Sequence, residues 1–294
     1  MVGVIAPSGA VDAERLARGV AVLEGCGLHV EVGGAALDRH AYLAGEDGAR
    51  LADLERMAAD EHIRALFCAR GGYGSQRLLP ALDLGRLVPV PKPIVGYSDA
   101  TALLTAAVAA GMVAVHGPMV ADDVARGLTE RSLAHLRALL TDPGFRWEIE
   151  APQTVRGGRA RGRLVGGCLA VLVAALGTPW AIDTDGAILF LEDVAERPYR
   201  LDRLLTQLRQ AGKLDRIAGL VFGTMAACPE VDGVGPLDVV RACCGDLPCP
   251  IAFGLPAGHD PRPERCENLA LPLGIEVELD ADRGRLRALE SAVV

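Results

Sequence analysis

The chain has 294 residues, 50% of them hydrophobic and 23% charged, a composition that supports two packed cores in a globular protein. A net charge of -8 and a pI near 5.3 argue against a broad nucleic-acid footprint, because phosphate neutralisation needs clustered cations. The longest apolar stretches, 101–115 and 168–182, fall short of the roughly 18 to 20 residues of a bilayer span and are read as core helices.

The opening "MVGVIAPSGA" lacks the basic start of an export signal and reads as a short buried strand entering a turn, so a cytoplasmic location is expected. A helix over 12–26, a strand at "LHVEVG", a helix over 48–60, a strand in "IRALFCARGG" and a strand over 93–97 follow in alternation. Such alternation predicts an α/β unit with a mainly parallel sheet, and ligands gather at the carboxyl ends of such strands. The "ARGGYGS" and "GYSD" turns both fall at such ends.

In "IVGYSDATALL" an apolar strand stops and a helix begins almost at once, leaving Ser98 at the turn. A serine there stands proud of the sheet with free helix N–H groups behind it, as a nucleophile requires; alternatively Ser98 or Asp99 only caps the helix. The second glycine of G-x-S-x-G is missing, so the turn alone does not choose between the two. In "RGGYGS", Gly71, Gly72 and Gly74 lack β-carbons and let backbone N–H groups approach a ligand, as an oxyanion site needs; a plain tight turn would look the same. Neither phosphate-loop spacing is present. His116, after the next helix, is either a second candidate base or a buried hydrogen-bonded histidine.

Composition shifts over 141–163 toward proline, glycine and charge without an apolar period, which marks a domain boundary. The expected division is an α/β domain over 1–145, a linker over 146–165 and a carboxyl-terminal domain over 166–294. The four arginines of "RGGRARGR" are read as solvated linker in preference to an anion site. Beyond it come a helix over 167–176, the strand "AILFLED", a helix over 199–211, the strand "IAGLVFGT", a helix near 237–243, the strand "IAFGLP", and a closing hairpin or small sheet from "LALPLGIEVELD" and "RLRALE".

Glu192 and Asp193 end the apolar run of "AILFLED", where a carboxylate leaving a buried strand needs a hydrogen-bonded partner. His259 follows "IAFGLP" in the turn "AGHD". Serine needs a base to take its proton, and that base needs an acceptor to set its tautomer; Ser98, His259 and Glu192 supply one of each. Eight cysteines without an export signal are expected as reduced thiols. Cys243, Cys244, Cys249, His259 and Cys266 match no paired C-x-x-C ligand pattern, so neither metal nor cofactor is expected.

Taken together, "IAPSG", "RGGYGSQRLL", "VGYSDATALL", "HGPM", "GRLVGGCLAVLVAALGTPW", "ILFLEDVAERPYRLDRLLTQLRQAG", "GLPAGH" and "ENLALPLG" resemble, in order and over nearly the whole chain, the LD-carboxypeptidases, also called muramoyltetrapeptide carboxypeptidases. The resemblance implies Ser98 as nucleophile, His259 as general base, Glu192 orienting it, and backbone N–H groups of Gly72 and Asp99 as oxyanion donors. It implies an amino-terminal α/β domain bearing the serine, a smaller mixed α/β domain bearing Glu and His, a site in the cleft between them, and a homodimer. The implied reaction is metal-free removal of terminal D-alanine from a muropeptide tetrapeptide in peptidoglycan recycling. Arg70 and Arg197 are expected, from position, to meet substrate carboxylates. The chain departs from the family in having Cys168 where asparagine is frequent and a longer "HDPRPERCEN" segment after His259. Rival readings are the microcin-immunity branch, which cleaves an aminoacyl-nucleotide-like antibiotic, and a non-catalytic two-domain binding protein.

Overall fold

The protein is described here by a computed structural model over residues 1–293. In chain order it forms β1 (Val2–Ile5), α1 (Ala13–Gly25), β2 (Val30–Val32), α2 (Asp47–Ala59), β3 (Ala65–Cys68), α3 (Leu84–Leu87), β4 (Ile94–Gly96), α4 (Thr101–Ala109), β5 (Ala114–His116) and α5 (Glu130–Thr141). Then follow β6 (Glu148–Glu150), β7 (Gln153–Arg156), β8 (Arg159–Cys168), α6 (Leu169–Ala174), β9 (Ile188–Val194), α7 (Pro198–Gln210), β10 (Gly219–Ala226), α8 (Pro236–Cys244), β11 (Ile251–Phe253), β12 (Leu271–Leu273), β13 (Glu276–Asp280) and β14 (Arg285–Ala288). Among the described residues no helix is long and apolar enough to cross a membrane.

The chain divides into two compact units of nearly equal size, Met1–Leu136 with Arg262–Leu271, and Arg137–Pro261 with Pro272–Val294. In the first, a six-stranded sheet runs in the order β12-β5-β4-β3-β1-β2, and the pairings from β2 through β5 are parallel. β1, β3, β4 and β5 are buried at every residue, which is why they read as continuous apolar runs without alternation. Parallel strands put their carboxyl ends on one side, so the loops after Ile5, Cys68 and Gly96 leave the sheet together. Asp12 caps α1 by accepting from the Arg15 N–H at 2.8 Å. Gly19 lets α1 lie against the π-helical turn Val120–Val124, since a β-carbon there would meet the Val120 carbonyl at 2.0 Å.

The second unit holds an eight-stranded sheet, β6-β14-β13-β8-β9-β10-β11-β7. Its centre, β8 through β11, is parallel, and its flanks are antiparallel. β9 is buried from Ile188 to Asp193. The register sets Cys168, the last residue of β8, beside Glu192.

Several sequence expectations change. Residues 146–165, read as a linker, are strands β6, β7 and the start of β8. Arg159, Arg161 and Arg163 alternate outward with Ala160, Gly162 and Leu164, a period of two that the glycines disguise. The arginines are not an anion site: Arg159 pairs with Asp280 at 2.9 Å and Arg161 with Glu278 at 2.7 Å on the antiparallel neighbour β13. The stretch 101–115 is not one helix; α4 stops at Ala109, Gly111 takes φ +87°, and the chain restarts as β5. Within 168–182 only Leu169–Ala174 is helical, because β8 persists to Cys168. Gly166 makes that possible, since a β-carbon there would lie 1.9 Å from the Phe190 carbonyl. At the carboxyl end, β13 and β14 form the expected hairpin, while β12 belongs to the other sheet.

Candidate active site

β4 ends at Gly96 and a 3-10 turn starts at Ser98, so the chain reverses within two residues. Ser98 takes φ +59°, a left-handed conformation that costs a non-glycine residue about 1 to 2 kcal/mol. Strain at a strand-to-helix turn is how a nucleophilic serine is held clear of a sheet, and a simple helix cap has extended backbone instead. Ser98 is half-buried, while Tyr97 and Asp99 on either side are buried. Tyr97 donates its hydroxyl to Asp123 at 3.2 Å, and Asp123 also accepts from Met119 N–H and from Arg126 at 2.8 Å. Burial pushes the Asp123 carboxyl up from its ordinary range, with Asp122 adding to the rise.

The glycine loop lies directly against this turn. A β-carbon on Gly71 would stand 2.9 Å from Ser98 Cβ and 3.0 Å from Ser98 Oγ, so only glycine fits. Gly72 takes φ +107° and is exposed, and the Asp99 backbone N is 3.5 Å from the same Gly71 β-carbon position. Ser75 joins loop and turn: its N–H donates to the Asp99 carboxylate at 2.8 Å and its hydroxyl to the Asp99 carbonyl at 2.5 Å. Asp99 therefore ties the two loops, a part that no local signal announced. The loop is braced from the segment after β1 by Gly9 N–H donating to the Gly71 carbonyl at 3.1 Å.

In the second unit, Glu192 is fully enclosed and the His259 side chain is 17% exposed. Their contact is 2.7 Å from His259 Nδ1 to Glu192 Oε2, and His259 backbone N–H donates to the same oxygen at 3.1 Å. A carboxylate only accepts, so Nδ1 carries a proton, and in the neutral imidazole the lone pair then falls on Nε2. The "AGHD" segment is a close-packed corner: Ala257 and Gly258 are buried, and a β-carbon on Gly258 would fall 2.5 Å from Glu192 Oε2. Gly258 has φ +111°.

Asp193 faces other work. It accepts from Ala170 N–H at 2.9 Å and Val194 N–H at 2.8 Å, which caps the first turn of α6. Burial raises its pKa to about 6 against the pull of those two N–H groups. The Cys168 thiol lies 3.8 Å from Asp193 Oδ1, and burial with Glu192 and Asp193 nearby pushes it well above the thiol range.

Of the remaining expectations, His116 is fully buried at the end of β5, its ring 5.6 Å from that of Tyr97. Arg70 is exposed and donates to the Ala10 carbonyl at 2.9 Å, with its guanidinium 3.6 Å from the position of a β-carbon on Gly72. Arg197 is exposed at the N-cap of α7. Cys243, Cys244 and Cys249 fall in the second unit and Cys266 in the first. Among the described residues no group of three or more His, Cys, Asp or Glu is placed to hold a metal.

Comparison with known proteins gives two family matches, the LD-carboxypeptidase N-terminal domain over residues 2–117 and the LD-carboxypeptidase C-terminal domain over 161–279. A murein tetrapeptide carboxypeptidase of Pseudomonas aeruginosa is 34% identical, with 97% of this chain and 94% of that protein covered. The crystal structure of muramoyltetrapeptide carboxypeptidase from Oxalobacter formigenes superposes with a TM-score of 0.88 at 31% identity, covering 97% of each chain. A structure of MccF in complex with glutamyl sulfamoyl guanosine has a TM-score of 0.89 at 22% identity, covering 100% of this chain and 96% of its own, and shares the fold.

Proposed function

Because the chain belongs to the LD-carboxypeptidase family, we infer that it is a serine LD-carboxypeptidase that releases terminal D-alanine from murein tetrapeptides in peptidoglycan recycling. The observation that carries the chemistry is the His259–Glu192 pair, which fixes the imidazole tautomer a general base needs.

In this reading Ser98 Oγ attacks the carbonyl carbon of the L-centre preceding D-alanine as His259 Nε2 takes the hydroxyl proton. The carbonyl oxygen gains the displaced electron pair and accepts from the Gly72 and Asp99 backbone N–H groups. Collapse expels D-alanine, which leaves with the proton from His259, and an ester to Ser98 remains. Water then attacks that ester, His259 takes its proton, and Ser98 recovers it as the shortened peptide departs. Glu192 stabilises the imidazolium in both halves without becoming protonated. The substrate is anionic, and Arg70, beside Gly72, supports a role in meeting one of its carboxylates; Arg197, exposed at the N-cap of α7, is the second candidate.

A cytoplasmic homodimer completes the proposal. The described cysteines form no disulfide with one another, as a reducing compartment allows. Light scattering of the purified chain tests the dimer. Incubation with a tetrapeptide, its all-L analogue and an aminoacyl sulfamoyl nucleotide, followed by mass spectrometry, tests the reaction. Loss of D-alanine from the first alone supports it, cleavage of the nucleotide alone favours the microcin-immunity activity, and no turnover of any of them removes the enzyme reading.

A further inference from the structure

One peptide group beside the candidate nucleophile is gripped at both ends by buried charge. The carbonyl of the Gly74–Ser75 peptide accepts from Arg50 Nη1 at 3.1 Å, while its N–H donates to the Asp99 carboxylate at 2.8 Å. Arg50 comes from α2, and its side chain is fully enclosed. The same Nη1 donates to the Pro7 carbonyl in the loop after β1, and Nη2 donates to Asp47 at 2.5 Å. Gly74 is shaped for this approach: it takes φ +132°, and a β-carbon there would lie 2.8 Å from Arg50 Nη1.

A guanidinium without solvent is costly to bury unless its protons are used; this one spends Nη1 on two loop carbonyls and Nη2 on one carboxylate, while Nε–H is buried with no partner among the described residues. Joining the outer end of α2 to the loop region does not require it, because Arg77 already grips Asp47 at 2.8 Å from the surface. What Arg50 adds is direction. A cation at the carbonyl and an anion at the N–H polarise the peptide between them, so both bonds are charge-assisted and the peptide plane has one favoured orientation.

We propose that Arg50 is a positioning residue for the acyl-transfer site, fixing the oxyanion donors through the Gly74–Ser75 peptide. On one side of that peptide the chain carries Gly72; on the other, Ser75 holds Asp99 by carboxylate and carbonyl together, and Asp99 follows Ser98. The Pro7 carbonyl brings the loop containing Gly9 under the same guanidinium, and Gly9 braces Gly71. The proposal rests on the serine carboxypeptidase reading above. Donors fixed in advance stabilise a developing oxyanion without reorganising, and a misplacement of about 1 Å costs on the order of 10²-fold in rate.

The test compares Arg50→Lys, Arg50→Met and Gly74→Ala with the surface control Arg77→Ala in the full-length chain. Three quantities are read well below the melting temperature: kcat and KM on a murein tetrapeptide, and the rate at which a fluorophosphonate labels Ser98. Arg50→Lys keeps the charge but lacks the planar fork, and it is expected to lower kcat and slow labelling by a common factor of roughly 10 to 10², with KM within about threefold of wild type. Gly74→Ala keeps the arginine in the sequence but puts a β-carbon 2.8 Å from Nη1 and 2.7 Å from Leu43 Cδ2, so the guanidinium must shift; it is expected to do the same, and the test stands if Arg50→Met does not fold. Arg77→Ala is expected to match wild type in all three. A folded Arg50→Lys or Gly74→Ala with wild-type kcat and labelling overturns the proposal, as does an equal loss in Arg77→Ala, since a merely structural arginine lowers the melting temperature and leaves the rate of folded enzyme unchanged. If wild type is labelled at Ser98 yet releases no D-alanine, the substrate assignment fails while the labelling comparison still decides the role of Arg50. If wild-type Ser98 is not labelled, there is no acyl-transfer site to position and the proposal falls.

Discussion

Glu192 holds His259 at two points with one oxygen, accepting from the ring Nδ1 at 2.7 Å and from the backbone N–H at 3.1 Å. The double grip sets both the tautomer and the placement of the ring. Glu192→Gln retains an acceptor but offers an amide N–H in some orientations, which favours the wrong tautomer. It is expected to lower kcat by about 10² to 10⁴ with KM little changed, measured as D-alanine release.

Ser98→Ala should abolish turnover with little change in melting temperature, because it removes one oxygen and keeps the strained φ of +59°. Ser98→Gly should be equally inactive and more stable than Ser98→Ala. Relief of left-handed strain, about 1 to 2 kcal/mol, outweighs the roughly 0.4 to 1 kcal/mol of added unfolded-chain entropy. Melting curves of the two variants side by side check this; a less stable glycine variant would show that the turn is not strained.

Asp193→Asn should alter the pH dependence of stability more than the rate. The native carboxyl titrates near 6 and the unfolded one near its ordinary 3.8, so between those values the native state binds more protons. Stability from this group is therefore greatest at the acid end and falls as pH rises from about 4 to 6, by on the order of 3 kcal/mol. The difference in unfolding free energy between wild type and Asp193→Asn, followed by denaturant titration from pH 4 to 7, should carry that slope and flatten above pH 7.

Gly258→Ala should disable the proposed base, His259, without touching it. The new β-carbon would press on Glu192 Oε2 at 2.5 Å, at a φ of +111° that alanine resists. A drop of at least about 10²-fold in kcat, with a melting temperature lowered by several degrees, is the expected result in a tetrapeptide assay.

Thiol reagents at pH 7 should leave most activity intact. Burial pushes the Cys68 and Cys244 thiols up to about 12, and Cys168 is also held well above the usual range. Reactivity needs the thiolate, which these environments suppress. Iodoacetamide titration with residual activity as readout checks this, and rapid inactivation that tracks modification of Cys168 would overturn it.

What the sequence determined by itself is local. Apolar runs and turn residues located β1, β3, β4, β9 and β10, because strands buried on both faces leave a continuous signature. The strand-to-helix turn at Ser98 was legible for the same reason, and the ordered motifs from "IAPSG" to "ENLALPLG" carried the family. What only the tertiary structure decided is pairing. The arginines of "RGGRARGR" became a strand when β13 supplied Glu278 and Asp280 opposite them, more than a hundred residues away. Arg262–Leu271 returned to the first unit although it follows residues of the second, so no single cut in the chain separates the two. Asp99, for which the sequence leaves a helix cap as one alternative, spends its carboxylate on Ser75, and Gly258, in the turn before His259, is a close contact with Glu192. Periodicity and turn preference arise from backbone sterics within a few residues, whereas a buried charge or hydrogen-bonding group is satisfied by whatever the fold brings beside it.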